Sequence, residues 1–246
     1  NANAVKEITI LGLLMASRKV ASSMEWVKTL KGSGDETAKK IEKGKGAFTG
    51  PEIKGKKLGV IGLGAIGVLV ANAAAGLGMT VYDPYLSVDA AWSMSASIYH
   101  AKTLGDIYEN CDYITLHLPC TGETKGMINA SSIATMKNGV RLLNFARGEL
   151  VVTEDLLEAV EQKKISCYVT DFPADEMIGR ENIVALPHLG ASTPESEDNC
   201  AVMAVAELTD YLETGNIVHS VNLPNVSLPR SAGMPRVCVV HLNVSG

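Results

Sequence analysis

The segment Leu58-Gly-Val-Ile-Gly62-Leu-Gly64-Ala-Ile-Gly67 constrains this chain more than any other. A short apolar run ends in glycines spaced G-x-G-x-x-G, and apolar residues at helical spacing then run from Ile66 to Leu77. In a strand–turn–helix unit Gly62 makes the tight turn, Gly64 lets the backbone approach a diphosphate, and Gly67 lets the helix pack close to the sheet. The first-turn N–H groups of such a helix lack intrahelical partners and sit at its positive dipole end, which suits an anion. The next apolar run, Thr80–Tyr82, ends in Asp83, 21 residues after Gly62. A carboxylate there accepts hydrogen bonds from the adenosine ribose hydroxyls and repels a 2′-phosphate, so the expected cofactor is NAD rather than NADP.

The rest of the chain continues the pattern. Apolar runs at Tyr113–Leu116, Val140–Leu143, Ile165–Val169 and Ile183–Leu186 alternate with helical patterns at Leu104–Glu109, Ala130–Met136 and Thr153–Gln162. Continuous apolar strands joined by helices predict an α/β fold, a doubly wound parallel sheet of the Rossmann type. Residues 4–20 read as a helix with Val5, Ile8, Leu11, Met15 and Ala16 on one face, and the Gly- and Lys-rich stretch 31–57 reads mostly as exposed loop with one short helix turn. Ser192-Thr193-Pro194 starts a long helix to Thr214 with Val202, Ala206 and Leu208 as its buried stripe and Gly215 as its C-cap. Residues 222–236 read as a proline-bearing linker, and Arg236–His241 alternates like a new strand.

Composition narrows the function. Lys and Arg number 22 against 27 Asp and Glu, a net charge of -5, and the basic run 39–57 has no interleaved aromatics beyond Phe48, so no nucleic-acid partner is expected. No run reaches the roughly 18 apolar residues that cross a membrane, and none is expected as a partner. The five cysteines are scattered without a C-x-x-C pair, which predicts neither a disulfide framework nor a metal site and suits a cytoplasmic location.

Two side chains stand just past strands, at the edge where open α/β sheets bind ligands. Arg147, in Leu143-Asn-Phe-Ala-Arg147-Gly148, can hold a carboxylate bidentately and polarise a neighbouring carbonyl. His188, in Leu186-Pro-His188-Leu-Gly-Ala-Ser192, can give or take a proton on a hydroxyl. The pair Asp175-Glu176 precedes that strand, and a carboxylate bonded to the imidazole would orient it, although spacing alone does not single the pair out. His117 follows another strand in Leu116-His-Leu-Pro119 and reads as shaping a loop against the cofactor. His100, His219 and His241 show no partner pattern.

Taken in order, these motifs, with the opening Asn-Ala-Asn-Ala-Val-Lys-Glu helix, resemble the NAD-dependent D-isomer-specific 2-hydroxyacid dehydrogenases from about Asn1 to about Pro224. The resemblance implies a 2-hydroxy acid substrate, with Arg147 on its carboxylate and keto oxygen, His188 as general acid/base, and Glu176, or Asp175, behind His188. It implies further cofactor contacts from Ala65 and Ile66 at the pyrophosphate. Around the nicotinamide it implies His117, Leu118, Pro119, Phe145, Ala146, Arg147, Asp171, His188, Gly190 and Ala191. It also implies a homodimer. Val152 departs from the pattern by standing where the family usually has Asp. The family's N-terminal substrate-binding domain is expected to be missing from these residues, so that alone they would turn over poorly. The tail resembles the first strand of an ACT-like regulatory domain. The expected organisation is therefore 1–223 as NAD-binding domain with bridging helices, 224–235 as linker and 236–246 as the truncated strand. Two other readings share the fold: a dehydrogenase for glyoxylate/hydroxypyruvate or D-lactate, and a non-catalytic NAD-sensing corepressor.

Overall fold

The computed structural model describes residues 1–84, 98–229, 237 and 239. Among these, one seven-stranded parallel sheet has the order β3-β2-β1-β4-β5-β6-β7. The strands are β1 Lys57–Ile61, β2 Thr80–Asp83, β3 Ile98–His100, β4 Tyr113–Leu116, β5 Val140–Asn144, β6 Ile165–Thr170 and β7 Ile183–Ala185. The helices are α1 Ala2–Ser17, α2 Val20–Lys28, α3 Thr37–Gly44, α4 Ala65–Gly76, α5 Leu104–Asn110, α6 Ala130–Thr135, α7 Thr153–Glu161 and α8 Pro194–Thr214. The chain forms two compact units, Ala2–Ser192 and the part from Thr193 onward with Asn1. The boundary between these units lies at the start of α8.

The sheet belongs to the first unit. Its strands are apolar throughout because both faces are covered, and alternate side chains enter opposite cores. Ile61, Leu116, Leu142 and Tyr168 pack with Ile107, Ile133 and Leu156 from α5, α6 and α7. Val60, Leu143 and Val169 pack on the other face with Leu13 of α1 and Ala71 and Ala74 of α4. α1 is fastened by Ser17 Oγ, 2.8 Å from the Tyr113 hydroxyl. Capping boxes start α5 at Thr103 and α6 at Asn129. Val152 stands at the N-cap of α7 and supplies no side-chain cap, as its apolar side chain dictates.

The structure adds to and corrects the local expectations. β3 pairs parallel with β2 although its three residues are too few to show a period. In α1 the buried residues are Val5, Thr9, Gly12, Leu13, Ala16 and Ser17, whereas Leu11 is exposed, so the buried face is rotated toward the small residues that allow close approach. The stretch 31–57 contains α3, where Ala, Lys and Glu supply helix propensity without burying anything. A Trp26–Phe48 ring contact at 5.3 Å anchors it locally. In the second unit, α8 has the expected Thr193 cap, with Thr193 Oγ1 accepting from Ser196 N–H, and ends at Gly215 in the left-handed region (φ 76°). Its stripe, however, is not buried: Val202 and Leu208 are 68% and 58% exposed. His219 in this unit does have a partner, Glu207 Oε1 at 2.7 Å. Most of the ACT-like stretch, like Met94, lies outside the described residues.

Candidate active site

The sheet order reverses between β1 and β4, and chains leaving the carboxyl ends of these neighbours diverge to form a crevice. Gly62 turns there with φ +105°, and a Cβ on it would lie 2.7 Å from the His117 carbonyl oxygen. Gly67 packs closer still, since a Cβ would fall 1.9 Å from the Gly62 carbonyl oxygen. Gly64 is the N-cap of α4, carries no side-chain cap, and has nothing within 4 Å of where a Cβ would stand. Two glycines are thus required by packing, while the third leaves open space before the first-turn N–H groups of Ala65, Ile66 and Gly67. That is the arrangement a pyrophosphate needs. Asp83 ends β2, next to β1, and its residue is 1% exposed.

On the other side of the crevice, Leu118 and His117 abut Gly62, and exposed Pro119 carries the chain away. The His117 Nε2 lies 3.0 Å from Thr115 Oγ1, and its Nδ1 is buried without a hydrogen-bond partner. Burial depresses its pKa to about 4, so the ring is neutral near pH 7 and lines the site instead of serving as a cation.

Further candidate side chains stand at the ends of β5 and β6. Buried Asn144 organises the first: its Oδ1 accepts from Ala146 N–H at 3.1 Å, and its Nδ2 donates to the Arg147 carbonyl at 2.8 Å. This residue was not singled out from the sequence, although a polar side chain closing an apolar strand is the signal for it. Arg147 is exposed, with Nη1 donating to the Ala146 carbonyl at 2.6 Å. Phe145, expected at the cofactor, instead turns its ring into the core beneath Gly12 of α1, where a Cβ would meet it at 2.8 Å; only its backbone belongs to the loop.

Past β6, Asp171 Oδ2 accepts from Gly190 N–H at 3.0 Å, while its buried Oδ1 has no hydrogen-bond partner. Burial raises the Asp171 pKa, and its hydrogen bond from Gly190 and the neighbouring His188 and Arg147 side chains oppose that rise. The Asp171 carboxylate thus lies within electrostatic reach of both side chains. Phe172 provides a second link: it is the nearest neighbour of the open face of Gly148, and its ring centroid lies 4.6 Å from that of His188. His188 adopts φ +39°, held by its N–H to the Asp171 carbonyl at 3.0 Å. A non-glycine residue in this region carries strain, which at a ligand edge serves to aim a side chain. Ala191 follows Gly190 at the same rim, half-buried.

Asp175 and Glu176 do not join the group. Both are exposed in a 3-10 turn, where the Glu176 carbonyl accepts from Arg180 Nε at 2.6 Å. Among the described residues no carboxylate hydrogen-bonds to the His188 ring.

The family profile for the D-isomer specific 2-hydroxyacid dehydrogenase, NAD binding domain, matches residues 10–190. A D-3-phosphoglycerate dehydrogenase from Bacillus subtilis is 37% identical over 186 residues, covering 72% of this chain and 35% of that protein. One from Haemophilus influenzae is 32% identical over 213 residues, covering 82% and 51%. The chain therefore spans about a third to a half of the length of these curated relatives. Among solved structures, the Aquifex aeolicus D-lactate dehydrogenase complexed with NAD and lactic acid superimposes with a TM-score of 0.71 at 26% identity, covering 87% of this chain and 67% of that one.

Proposed function

We propose, from the premise that the chain belongs to the D-isomer-specific 2-hydroxyacid dehydrogenase family and carries its NAD-binding domain, that it serves the oxidation of 3-phosphoglycerate to 3-phosphohydroxypyruvate, the opening step of serine biosynthesis. The observation that supports the dehydrogenase reading is that Arg147 and His188 both leave carboxyl ends of sheet strands and both act electrostatically on the Asp171 carboxylate. The names of the two relatives support the substrate. The lactate complex of a structural neighbour keeps D-lactate as the alternative.

NAD, when bound, accepts the hydride from the substrate C2. The chain's own residues do the rest. The α4 N-terminus and Gly64 hold the diphosphate, and Asp83 holds the adenosine ribose. Neutral His117 and the unpaired Asp171 Oδ1 offer hydrogen-bonding atoms to the nicotinamide half. Arg147 clamps the substrate carboxylate and polarises the C2 oxygen, and His188 takes the hydroxyl proton as the C2–H bond breaks. Glu176, or Asp175, stands behind His188 as the carboxylate that orients the imidazole. A homodimer is part of this reading, supported by the exposed Leu11, Leu14, Met24 and Val27 of α1 and α2.

The test is NADH formation by the full-length coding product on 3-phosphoglycerate, D-lactate and D-glycerate. Turnover on 3-phosphoglycerate well above the others is expected; turnover on none, with NAD bound, would favour the corepressor reading. Asp83→Ala should weaken NAD binding by about 10- to 100-fold, as expected for losing hydrogen bonds to a charged acceptor. It should also narrow the preference over NADP. Isothermal titration with both nucleotides checks this, and an unchanged ratio would remove Asp83 from the ribose site.

A further inference from the structure

A cavity of about 430 Å³ opens at the other end of the sheet, where β5, β6 and β7 begin. The turn after α1, the loop at Thr49–Pro51 and the end of α7 wall it in. The glycine turn, Arg147 and His188 all leave carboxyl ends of strands, so this cavity is separate from the site above. We propose that it binds a small, multiply charged oxyanion, either a phosphate ester or a polycarboxylate.

Charge is the first argument. Arg18, Lys19, Arg141, Lys163 and Arg180 line the cavity against one carboxylate, Glu181. Such a concentration of cations runs against the chain's net charge of -5. Glu181 is engaged by Lys19 at 2.9 Å, and Arg180 by Glu161 at 2.6 Å. Arg18 and Lys163 make no side-chain hydrogen bond or ion pair with described residues. Arg141 is half-buried and fixed: Nε donates to the Ala16 carbonyl at 2.8 Å, and the guanidinium lies 5.3 Å from the Tyr113 ring centroid. Nη1 makes only a long contact to the Gly139 carbonyl at 3.5 Å, and Nη2 has no partner among the described residues, so guanidinium donors remain for a carboxylate or phosphate.

Backbone conformation is the second argument. Lys163 follows the C-cap of α7 with φ +60°, the left-handed position at which helices favour glycine. A lysine there costs stability that glycine would not. The structure holds this strained lysine at the cavity wall without a hydrogen bond or salt bridge, its charge shared with Glu181 at longer range, a common sign that stability has been exchanged for binding.

The two arguments make opposite demands on one substitution. Lys163→Gly should leave the melting temperature unchanged or raise it, and should weaken anion binding by about tenfold or more. Arg18→Gln should weaken binding alone. The measurement is backbone amide NMR on the 246-residue chain at constant ionic strength, with saturating NAD so that the α4 N-terminus is occupied. Inorganic phosphate and citrate are titrated separately, following Lys163, Ser166 and Cys167. Saturable shifts with phosphate alone identify a phosphate-ester site, and with citrate alone a polycarboxylate site; with both, the oxyanion class. Shifts that never saturate, or that survive both substitutions unchanged, overturn the proposal.

Discussion

Changing His188 to glutamine in the full-length coding product should lower kcat by about 10²- to 10⁴-fold, the usual worth of a positioned acid/base. NAD affinity should stay within a few-fold of the parent. Glutamine keeps a polar side chain of similar reach but cannot carry the proton away from the substrate hydroxyl. The backbone N–H to Asp171 is untouched by the change, so the rim at Gly190 should hold its shape. Steady-state rates together with NAD titration separate the outcomes. A proportional loss of both would mean that His188 only shapes the pocket. His117 provides the contrast, because its buried ring is neutral near pH 7 and has no proton to give as a cation.

A comparably large effect is expected from two glycines three residues apart. Gly64→Val should leave the fold intact, since nothing lies within 4 Å of the added Cβ, yet fill the space a diphosphate would occupy. Losing two charge-assisted hydrogen bonds, each worth about 1.5–3 kcal/mol, weakens NAD by roughly 10²-fold or more. Gly67→Ala should do the reverse. Its Cβ would stand 1.9 Å from a backbone oxygen that has nowhere to move, so α4 must lift from β1. Overpacking of that kind costs about 1–3 kcal/mol or more. Thermal melts with and without NAD distinguish the two. A Gly64→Val protein that still binds NAD normally would place the diphosphate elsewhere.

Much of this was legible before any coordinates, for a physical reason. Strands buried on both faces must be apolar runs, so β1, β2, β4, β5, β6 and β7 announce themselves within one residue at each end. Turns that need glycine for packing do the same. What stayed hidden depended on contacts. Three residues of β3 carry no period. α3 forms from propensity rather than an apolar stripe, with Gly44 at its end packed close to the Trp26 ring. The ring of Phe145 is drawn into the core because Gly12 leaves room for it, a long-range pairing that local spacing does not reveal. Spacing does not choose between Asp175 and Glu176 as the carboxylate behind His188, and both stand exposed in one 3-10 turn.

The pairing of β1 with β4 carries a consequence for biosynthesis. Leu58 waits for Tyr113, some fifty residues later in the chain, before its second edge is covered. On a ribosome, the half made of β1, β2 and β3 emerges first and can zip together early. The nucleotide crevice has only one bank until Leu116 and His117 leave the exit tunnel. A nascent chain halted short of that point would carry the complete glycine signature and still be blind to NAD.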